Sequence, residues 1–406
     1  MANHQTFKLL LFDTILTGHH SDYLFNLVDY WHTNDLPGEL VVVTPRGLAA
    51  TFPEEYLRIS GLTFVEITDE EIRASLNVSS VRRSLAEWNL YVQYAFQIQP
   101  THALLMYFDL FQLGAWIGRK SPCPVSGIYF RPSFHYAGAE KWREKLVALR
   151  KKYLLREVLK NKALYTLFSL DKTVVPAIRK MASTVRIVPL SDPVRYYKIT
   201  SVEVEALRLT LGIDRTKKVF LLFGYLDDRK GIEQVLDAFA ILTEEEQAQC
   251  ALVIAGPIQN NFRVQIESKI ASLHGRVQVV SAFQELKGAN IQTYFELADY
   301  VLTLYQKHVG MSSIVIRAAF SEKPLISSDF GYLGELVKTN QLGLTVNSSS
   351  PGAISRAFSI ALRGEVRYSL SALRKLAKEN TAQSFAQQIF EGIGATTTLK
   401  PKPGKA

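Results

Sequence analysis

The chain has 406 residues, which is about the length of two ordinary domains. Hydrophobic residues make up 47% of it and charged residues 21%, a balance that excludes disordered and fibrous proteins. The formal net charge of +9 makes nucleic acid, an anionic lipid surface or an anionic small ligand the partners to consider. The two cysteines, Cys123 and Cys250, lie far apart, which argues against a disulfide framework or zinc site and predicts a reducing compartment.

The first half of the chain alternates strand-like and helix-like segments. Residues 8–13 predict a buried first strand and not the apolar core of a signal peptide, so we expect a cytoplasmic protein. Helices are predicted from residues 18–20 onward and over 81–97. Further strands are predicted over residues 39–45, 103–109, 123–130, 164–171 and 185–194. Continuous apolar strands between helices are typical of a parallel sheet that is covered on both faces.

A basic segment interrupts this alternation at residues 141–162. It contains nine Lys or Arg and two Glu, with large apolar residues at helical spacing. Two interpretations remain open: the solvated face of a surface helix, or docking on an anionic membrane surface at the inner face of the membrane. A third, binding of nucleic acid, is disfavoured because no stacking platform or recognition module accompanies the helix.

Turn chemistry at Pro189, Asp192 and Pro193 marks the end of the first domain. A second alternating unit follows, with helices over residues 230–242, 353–362 and 370–393. Its strands are predicted over residues 218–224, 250–256 and 323–329 and near residues 277, 300 and 343. The polar, proline-rich residues 396–406 predict a disordered tail.

These elements predict an α/β fold with two doubly wound Rossmann-like domains that face each other across a cleft. The boundaries are residues 1–197, 198–370, a helix over 371–395 that crosses back to the first domain, and the tail over 396–406. Ligands of such sheets bind outside the carboxyl ends of the strands, where the strand order reverses. No GxGxxG motif is present, which argues against a dinucleotide-dependent dehydrogenase.

The segment LLFGYLDDRKGIEQVLDAF is the strongest local signal. A buried strand ends at Gly224, and Arg229, Lys230 and Gly231 lie where the next helix opens. Glycines let a ligand approach the backbone, and a helix N-terminus offers N–H groups to phosphate. A second such place is Gly310-Met311-Ser312-Ser313, because serine is a favoured helix cap. We therefore predict that a diphosphate binds to seven of these residues, which are all of them except Gly231.

The order of the motifs over residues 217–362 resembles the C-terminal half of GT-B fold glycosyltransferases of the retaining family 4, or group 1, type. The matching motifs are Gly224 with Lys230-Gly231, Ala298-Asp299-Tyr300, Glu322-Lys323-Pro324, and the segment from Gly331 through Glu335 to Val337. The resemblance implies that the second domain takes the nucleotide-sugar donor and the first domain takes the acceptor.

This chain departs from the family at its donor-site helix. Members carry two glutamates separated by seven residues, one beside the sugar and one on the ribose. Alignment on Lys323-Pro324 puts Val309 and Arg317 at those positions, with His308 beside them. A valine accepts no hydrogen bond from a sugar, and an arginine can only donate to a ribose. The identity of the donor, and whether catalysis survives, therefore stay open.

Candidate residues of the first domain follow predicted strand ends. Asp109 and His20 are the predicted catalytic residues. Gly18, His19, Arg131 and His135 are predicted to lie on the acceptor side.

The resemblance implies a hexosyltransferase-like enzyme that moves a sugar from a UDP- or GDP-linked donor to a hydroxyl of a glycan or lipid-linked acceptor. It implies retention of anomeric configuration, no metal and no further cofactor, and a role in polysaccharide or glycolipid synthesis. The alternative is a GT-B homologue with impaired catalysis that binds a nucleotide or a partner protein, which the missing glutamates favour.

Overall fold

A computed structural model describes residues 7–16, 20–76, 80–130, 142–182, 184–308 and 310–395. The chain forms two compact units. The first unit takes the residues up to Pro193 and those from Ala382 onward, and the second takes Val194–Thr381. Each unit is built around one parallel sheet with helices on both of its faces.

The sheet of the first unit has seven strands in the order β3-β2-β1-β4-β5-β6-β7, all parallel. Its strands are β1 (Lys8–Phe12), β2 (Glu39–Pro45), β3 (Leu62–Ile67), β4 (His102–Leu105), β5 (Val125–Tyr129), β6 (Leu164–Ser169) and β7 (Arg186–Pro189). Its helices before the chain leaves the unit are α1 (His20–Thr33), α2 (Asp69–Leu76), α3 (Ser80–Ile98), α4 (Gln112–Ile117), α5 (Trp142–Val158) and α6 (Val175–Arg179).

The sheet of the second unit has six parallel strands in the order β10-β9-β8-β11-β12-β13. Its strands are β8 (Lys218–Phe223), β9 (Cys250–Ala255), β10 (Gln278–Ala282), β11 (Tyr300–Thr303), β12 (Leu325–Ser328) and β13 (Gly343–Val346). Its helices are α7 (Ser201–Thr210), α8 (Ile232–Ile241), α9 (Glu244–Ala248), α10 (Asn260–Ser272), α11 (Ala289–Leu297), α12 (Ser313–Phe320), α13 (Gly331–Thr339), α14 (Pro351–Leu362) and α15 (Leu370–Glu379). The last helix, α16 (Ala382–Gly392), belongs to the first unit.

Alternate side chains of each central strand enter cores on opposite faces of the sheet. On β1, Leu10 and Phe12 pack in one hydrophobic cluster, and Leu9 and Leu11 pack in another. This is why the strands read as continuous apolar runs in the sequence. The second unit likewise has one cluster on each face of its sheet.

The strand order reverses once in each sheet, between β1 and β4 in the first unit and between β8 and β11 in the second. At such a point the connections leave the neighbouring strands toward opposite faces, so the carboxyl ends of these two strands border a crevice. The fold therefore gives each unit one natural place for a ligand.

The structure differs from the prediction in three places. The predicted helix over residues 370–393 is two helices, because Asn380 turns its side chain to the carbonyl of Leu376 and its own carbonyl accepts from the N–H of Val194. Residues 62–76, for which no element was predicted, form β3 and α2. The predicted strand over residues 103–109 ends at Leu105, so that Asp109 lies in a short 3-10 turn and not at a strand end.

Within the part of the chain that the structure describes, no helix is both long and apolar enough to cross a bilayer.

Candidate functional site

In the second unit, the β8–α8 connection forms the first part of the candidate site. β8 ends at Phe223, and Gly224 follows with a φ of +118°. A Cβ atom at Gly224 would stand 2.9 Å from Nζ of Lys230, so a larger residue would displace this ammonium group. Gly231, with a φ of +70°, would place a Cβ 2.3 Å from the carbonyl oxygen of Leu304. Both glycines are therefore required by backbone conformation and by space.

Lys230 is the central residue of this connection. Its side chain is buried, and its Nζ donates hydrogen bonds to the carbonyl of Phe223 (3.0 Å) and to the hydroxyl of Tyr305 (2.9 Å). The ammonium group also lies 4.3 Å from the centre of the Tyr305 ring. Among the described residues, no carboxylate lies within ion-pair distance of this nitrogen. Two of its three N–H groups are therefore satisfied, and the described residues give its charge no acidic partner.

Tyr305 joins this connection to the start of α12. It follows β11, the strand next to β8, and its hydroxyl is 3.0 Å from Oγ of Ser312. Ser312 is the N-cap of α12 and accepts a hydrogen bond from the N–H of Ile314 (3.3 Å). A chain of hydrogen bonds thus runs from Lys230 through Tyr305 to Ser312. It brings together residues that are 82 positions apart at the carboxyl ends of β8 and β11.

Arg229 adds a second cation at the same place. Its guanidinium lies 5.6 Å from the centre of the Tyr305 ring and is half-exposed. It is also 3.6 Å from Oδ2 of Asp227, which offsets part of its charge. The backbone carbonyl of Arg229 accepts from the N–H of Gln306, which ties the β8–α8 connection to the segment after β11.

The remaining predicted donor residues lie on the segment that enters α12 and on α12 itself. Gly310, Met311 and Ser313 are half-buried, and Nε2 of His308 is 3.3 Å from the carbonyl of Met311. Arg317 is half-buried on α12, one turn beyond Ser313. Val309 lies outside the described residues.

The electrostatics of this end of the second unit favour an anion. A buried ammonium group without an acidic partner is costly in a low-dielectric environment, and a bound phosphate would offset that cost. The N–H groups at the start of α12 and their partial positive charge act in the same direction.

In the first unit, Asp13 and His20 form a buried hydrogen-bonded pair at the carboxyl end of β1. Oδ2 of Asp13 is 2.7 Å from Nδ1 of His20, and Oδ1 accepts from the N–H of Ile15 (3.0 Å). Their side chains are 1% and 13% exposed, respectively. Because an ionised carboxylate only accepts, this geometry assigns a proton to Nδ1 of His20, and in the neutral imidazole Nε2 is then an acceptor. In the described part of the chain, Nε2 has no hydrogen-bond partner.

Aromatic rings fix the orientation of the His20 imidazole. The Phe130 ring is parallel to it at 6.1 Å, and the Tyr107 ring meets it edge-on at 5.3 Å. Burial raises the pKa of the Asp13 carboxyl, and the hydrogen bond to His20 and its charge act in the opposite direction. These residues follow β1, β4 and β5, three adjacent strands that include the reversal point of the sheet.

Asp109 contacts the backbone of a residue that packs against this pair. Its Oδ2 accepts a hydrogen bond from the backbone N–H of Phe130 (2.8 Å). Asp109 thereby holds the residue whose ring is stacked beside His20.

The other candidates of the first domain cannot be placed. Gly18, His19, Arg131 and His135 lie outside the described residues.

The buried His102 is at the opposite, amino end of β4, where its Nε2 is 2.9 Å from Oγ of Ser126. Burial lowers its pKa to about 4. His102 is therefore a neutral core residue at the end of the sheet away from the candidate site.

Two residues of these sites were not singled out in the sequence. Tyr305 was read as part of a buried strand, and Asp13 as the end of one. A signal for both was present, because each is a polar group at the carboxyl end of a strand beside a reversal point. Among the described residues, no group of three or more His, Cys, Asp or Glu could hold a metal ion.

Comparisons with known proteins agree with this architecture. Residues 203–383 match the family model described as "Glycosyl transferases group 1". An α-monoglucosyldiacylglycerol synthase of Streptococcus pneumoniae (strain ATCC BAA-255 / R6) is 25% identical over 303 residues, which is 70% of this chain and 64% of the relative. The chain therefore matches less than two thirds of that relative's length.

Solved structures align over nearly the whole chain. Anabaena HepE in complex with UDP has a TM-score of 0.67 at 15% identity, over 96% of this chain and 100% of the other. A UDP-forming α,α-trehalose-phosphate synthase of Burkholderia xenovorans has a TM-score of 0.66 at 12% identity, over 96% and 99% of the two chains. At this level of identity, the likeness concerns the fold.

The fold class is GT-B, with two Rossmann-like units built on parallel sheets. Within it, the residues that match the group 1 glycosyltransferase model include the Lys230–Tyr305–Ser312 chain of hydrogen bonds.

Proposed function

We propose that the protein is an enzyme that transfers a sugar from a nucleotide-diphosphate donor, linked to UDP or GDP, to a hydroxyl group of an acceptor. The observation that carries this proposal is the buried Lys230, whose charge has no acidic partner in the described part of the chain. It lies at the reversal point of the second sheet, where α/β folds bind their ligands.

The donor diphosphate binds at the carboxyl ends of β8 and β11. Lys230 directs its third N–H to a phosphate oxygen, and Arg229 contributes a second positive charge. The start of α12, at Gly310 to Ser313, provides backbone N–H groups. Negative charge accumulates on the leaving diphosphate when the glycosyl bond breaks, and fixed donors at this position stabilise it. We propose that these groups replace a divalent metal in this role.

The sugar and ribose lie along His308, Val309 and Arg317. Without the two glutamates of the family, Arg317 donates to the ribose and no carboxylate grips the sugar. We expect a lower affinity for the donor than a carboxylate pair would give, and the same diphosphate position.

The first unit takes the acceptor. Nε2 of His20 accepts the hydrogen bond of the attacking hydroxyl, and Asp13 holds the ring in the tautomer that leaves this nitrogen unprotonated. Asp109 acts at one remove, because it fixes the position of Phe130. Gly18, His19, Arg131 and His135 are proposed to contact the acceptor.

The acceptor class is a glycan or a lipid-linked hydroxyl, and the product belongs to polysaccharide or glycolipid synthesis. The relative from Streptococcus pneumoniae is named for a glycolipid product, which supports the second class. Retention of anomeric configuration is proposed from the motif order that resembles the retaining family.

A transfer assay with defined donors tests the proposal. The protein is incubated with UDP- and GDP-linked hexoses, with EDTA present, and with glycan or diacylglycerol acceptors. Release of nucleoside diphosphate and the anomeric NMR signal of the product are followed. We expect acceptor-dependent release of one nucleotide and retained configuration. Thermal stabilisation by a nucleotide without turnover on any acceptor would identify the binding-only homologue, and no response to any nucleotide would contradict the proposal.

A further inference from the structure

The outward face of α5 in the first unit is apolar where a surface helix is normally polar. Leu155 and Val158 on its inner face are buried. Leu146, Leu149 and Tyr153 are 54%, 63% and 57% exposed, respectively. The 3.6-residue period places these three side chains together, opposite the buried ones. The helix therefore presents an apolar stripe to each side, and among the described residues only the inner stripe is buried.

The exposed stripe continues onto the end of α4. Trp116 and Ile117 are 41% and 56% exposed. The Trp116 ring meets the Tyr153 ring edge-on, with centroids 6.1 Å apart, which joins the two helices in one surface. Contiguous exposed apolar patches on a soluble domain mark an interaction site, and Trp and Tyr are enriched where membrane and water meet.

Basic side chains surround this surface, which we call the α4–α5 patch. The exposed cations on or next to it are Arg119, Lys120, Arg150, Lys152 and Arg156. The acidic side chain of α5 that the structure describes, Glu157, forms an ion pair with Lys160 (2.6 Å). The patch therefore combines an apolar centre with a strong positive field.

We propose that the α4–α5 patch docks on an anionic lipid bilayer. The five apolar side chains enter the headgroup region, and the cations contact the lipid phosphates. A second copy of this chain would bring the same five cations against each other, and like charges oppose such a contact. A nucleic acid would satisfy the cations and leave Leu146, Leu149 and Ile117 in water. A bilayer satisfies both parts of the patch.

This surface is separate from both candidate sites, since its apolar residues belong to neither. Docking therefore does not depend on the proposed transferase activity. It can be measured with the full chain and without any nucleotide.

Cosedimentation with vesicles tests the proposal. The full chain is mixed with vesicles of phosphatidylcholine alone or with ~30 mol% phosphatidylglycerol, at low and high salt. We expect binding to the anionic vesicles that weakens with salt. The double variant Leu149→Ser, Tyr153→Ser and the double variant Arg150→Gln, Arg156→Gln should each reduce the partition coefficient about tenfold.

A matched control tests whether losing any exposed leucine would reduce vesicle binding. Leu209 on α7 in the second unit is 71% exposed, so Leu209→Ser removes an equally exposed leucine and should leave vesicle binding unchanged. Circular dichroism checks that all variants are folded.

Four results would overturn the proposal. They are equal binding to both vesicle types, no binding to either, unchanged binding of the two double variants, and a loss of binding in Leu209→Ser. A stable dimer that Leu149→Ser, Tyr153→Ser dissociates, without vesicle binding, would identify a second copy as the occupant. Salt-sensitive RNA binding that outcompetes vesicles would identify nucleic acid.

Discussion

The carboxyl ends of the two sheets have the same topology and opposite chemistry. In the second unit, the end of β8 and β11 carries Lys230, joined through Tyr305 to Ser312. In the first unit, the end of β1 and β4 carries the carboxylate of Asp13 on His20. One arrangement offers hydrogen-bond donors and positive charge, and the other offers an acceptor nitrogen that a carboxylate orients.

The difference shows that topology and chemistry are set by different residues. The reversal of strand order determines where a ligand can lie, and apolar strands determine that order. A few polar residues just beyond the strands then decide which ligand is bound. In these two sheets, a cationic end suits a diphosphate and an oriented imidazole suits a hydroxyl that must lose a proton.

The largest effect is expected from His20→Gln. This change removes the acceptor nitrogen that Asp13 orients, and we expect the transfer rate to fall about a hundred- to ten-thousandfold. Nucleotide affinity should stay the same, because the proposed diphosphate site belongs to the second unit. Steady-state kinetics and calorimetric titration measure the two quantities.

His32→Gln is the control for that change. His32 is on the last turn of the same helix, exposed, and its ring contacts Tyr56. Its replacement should leave the transfer rate unchanged. If His20→Gln retains full activity, the Asp13–His20 pair is structural and the two ends do not divide the chemistry as we propose.

Lys230→Met tests the cationic end. We expect the affinity for UDP or GDP to fall about ten- to a hundredfold, because a hydrogen bond to a charged group is lost. The melting temperature should stay the same or rise, because the variant removes a buried charge that has no acidic partner among the described residues. Calorimetric titration and thermal unfolding measure these effects.

Lys218→Met is matched to this variant. Lys218 begins the same strand at its amino end, where it is half-exposed and 3.5 Å from Asp299. Its loss should not change nucleotide affinity. If Lys230→Met binds the nucleotide as tightly as the unchanged protein does, the diphosphate does not bind at this site.

His102 sharpens the comparison between the two ends of the first sheet. Because its pKa is about 4 when folded and about 6.5 when unfolded, the unfolded chain binds the extra proton, and stability falls as the pH drops through this window. At about pH 4.5, the part of the free energy of unfolding that is lost through His102 approaches about 2 kcal/mol. In His102→Gln, urea unfolding should therefore show a smaller decrease from pH 7 to that pH. An unchanged decrease would mean that His102 is not buried in its neutral form.

Tyr305→Phe should have the smallest effect. It removes the hydroxyl between Lys230 and Ser312 and keeps the ring beneath the cations, so we expect a loss of ~1 kcal/mol in nucleotide affinity. Tyr300→Phe is the control, because its buried hydroxyl bonds the carbonyl of Ala361. That variant should lose stability without losing affinity. Equal effects of both variants on affinity would show that the chain of hydrogen bonds plays no specific part.

Much of this fold could be predicted because its strands are buried on both faces. β2 was predicted with its observed bounds, and the other strands were predicted from the same continuous apolar runs, except β3. β3 was missed because its side chains are only partly buried and its sequence, LTFVEI, is mixed. The break at Asn380 was missed because it depends on a contact with Val194, far away in the sequence.

Parts of the candidate site could be predicted because glycines and helix caps are visible in the sequence. Gly224 and Gly231 mark the β8–α8 connection, and Ser312 marks the start of α12. Tyr305 and Asp13 were missed, since a tyrosine or aspartate at a strand end gains its role from partners that only the fold brings near. Asp109 was predicted to be catalytic because it was expected at a strand end; the strand ends earlier and Asp109 lies in a 3-10 turn, while its catalytic role stays a prediction.

A crystal structure of the protein with UDP or GDP tests the central claim most directly. The account predicts phosphate oxygens about 3 Å from Nζ of Lys230 and from the N–H groups at the start of α12. A nucleotide bound elsewhere, with Lys230 still bonded only to Phe223 and Tyr305, would contradict it.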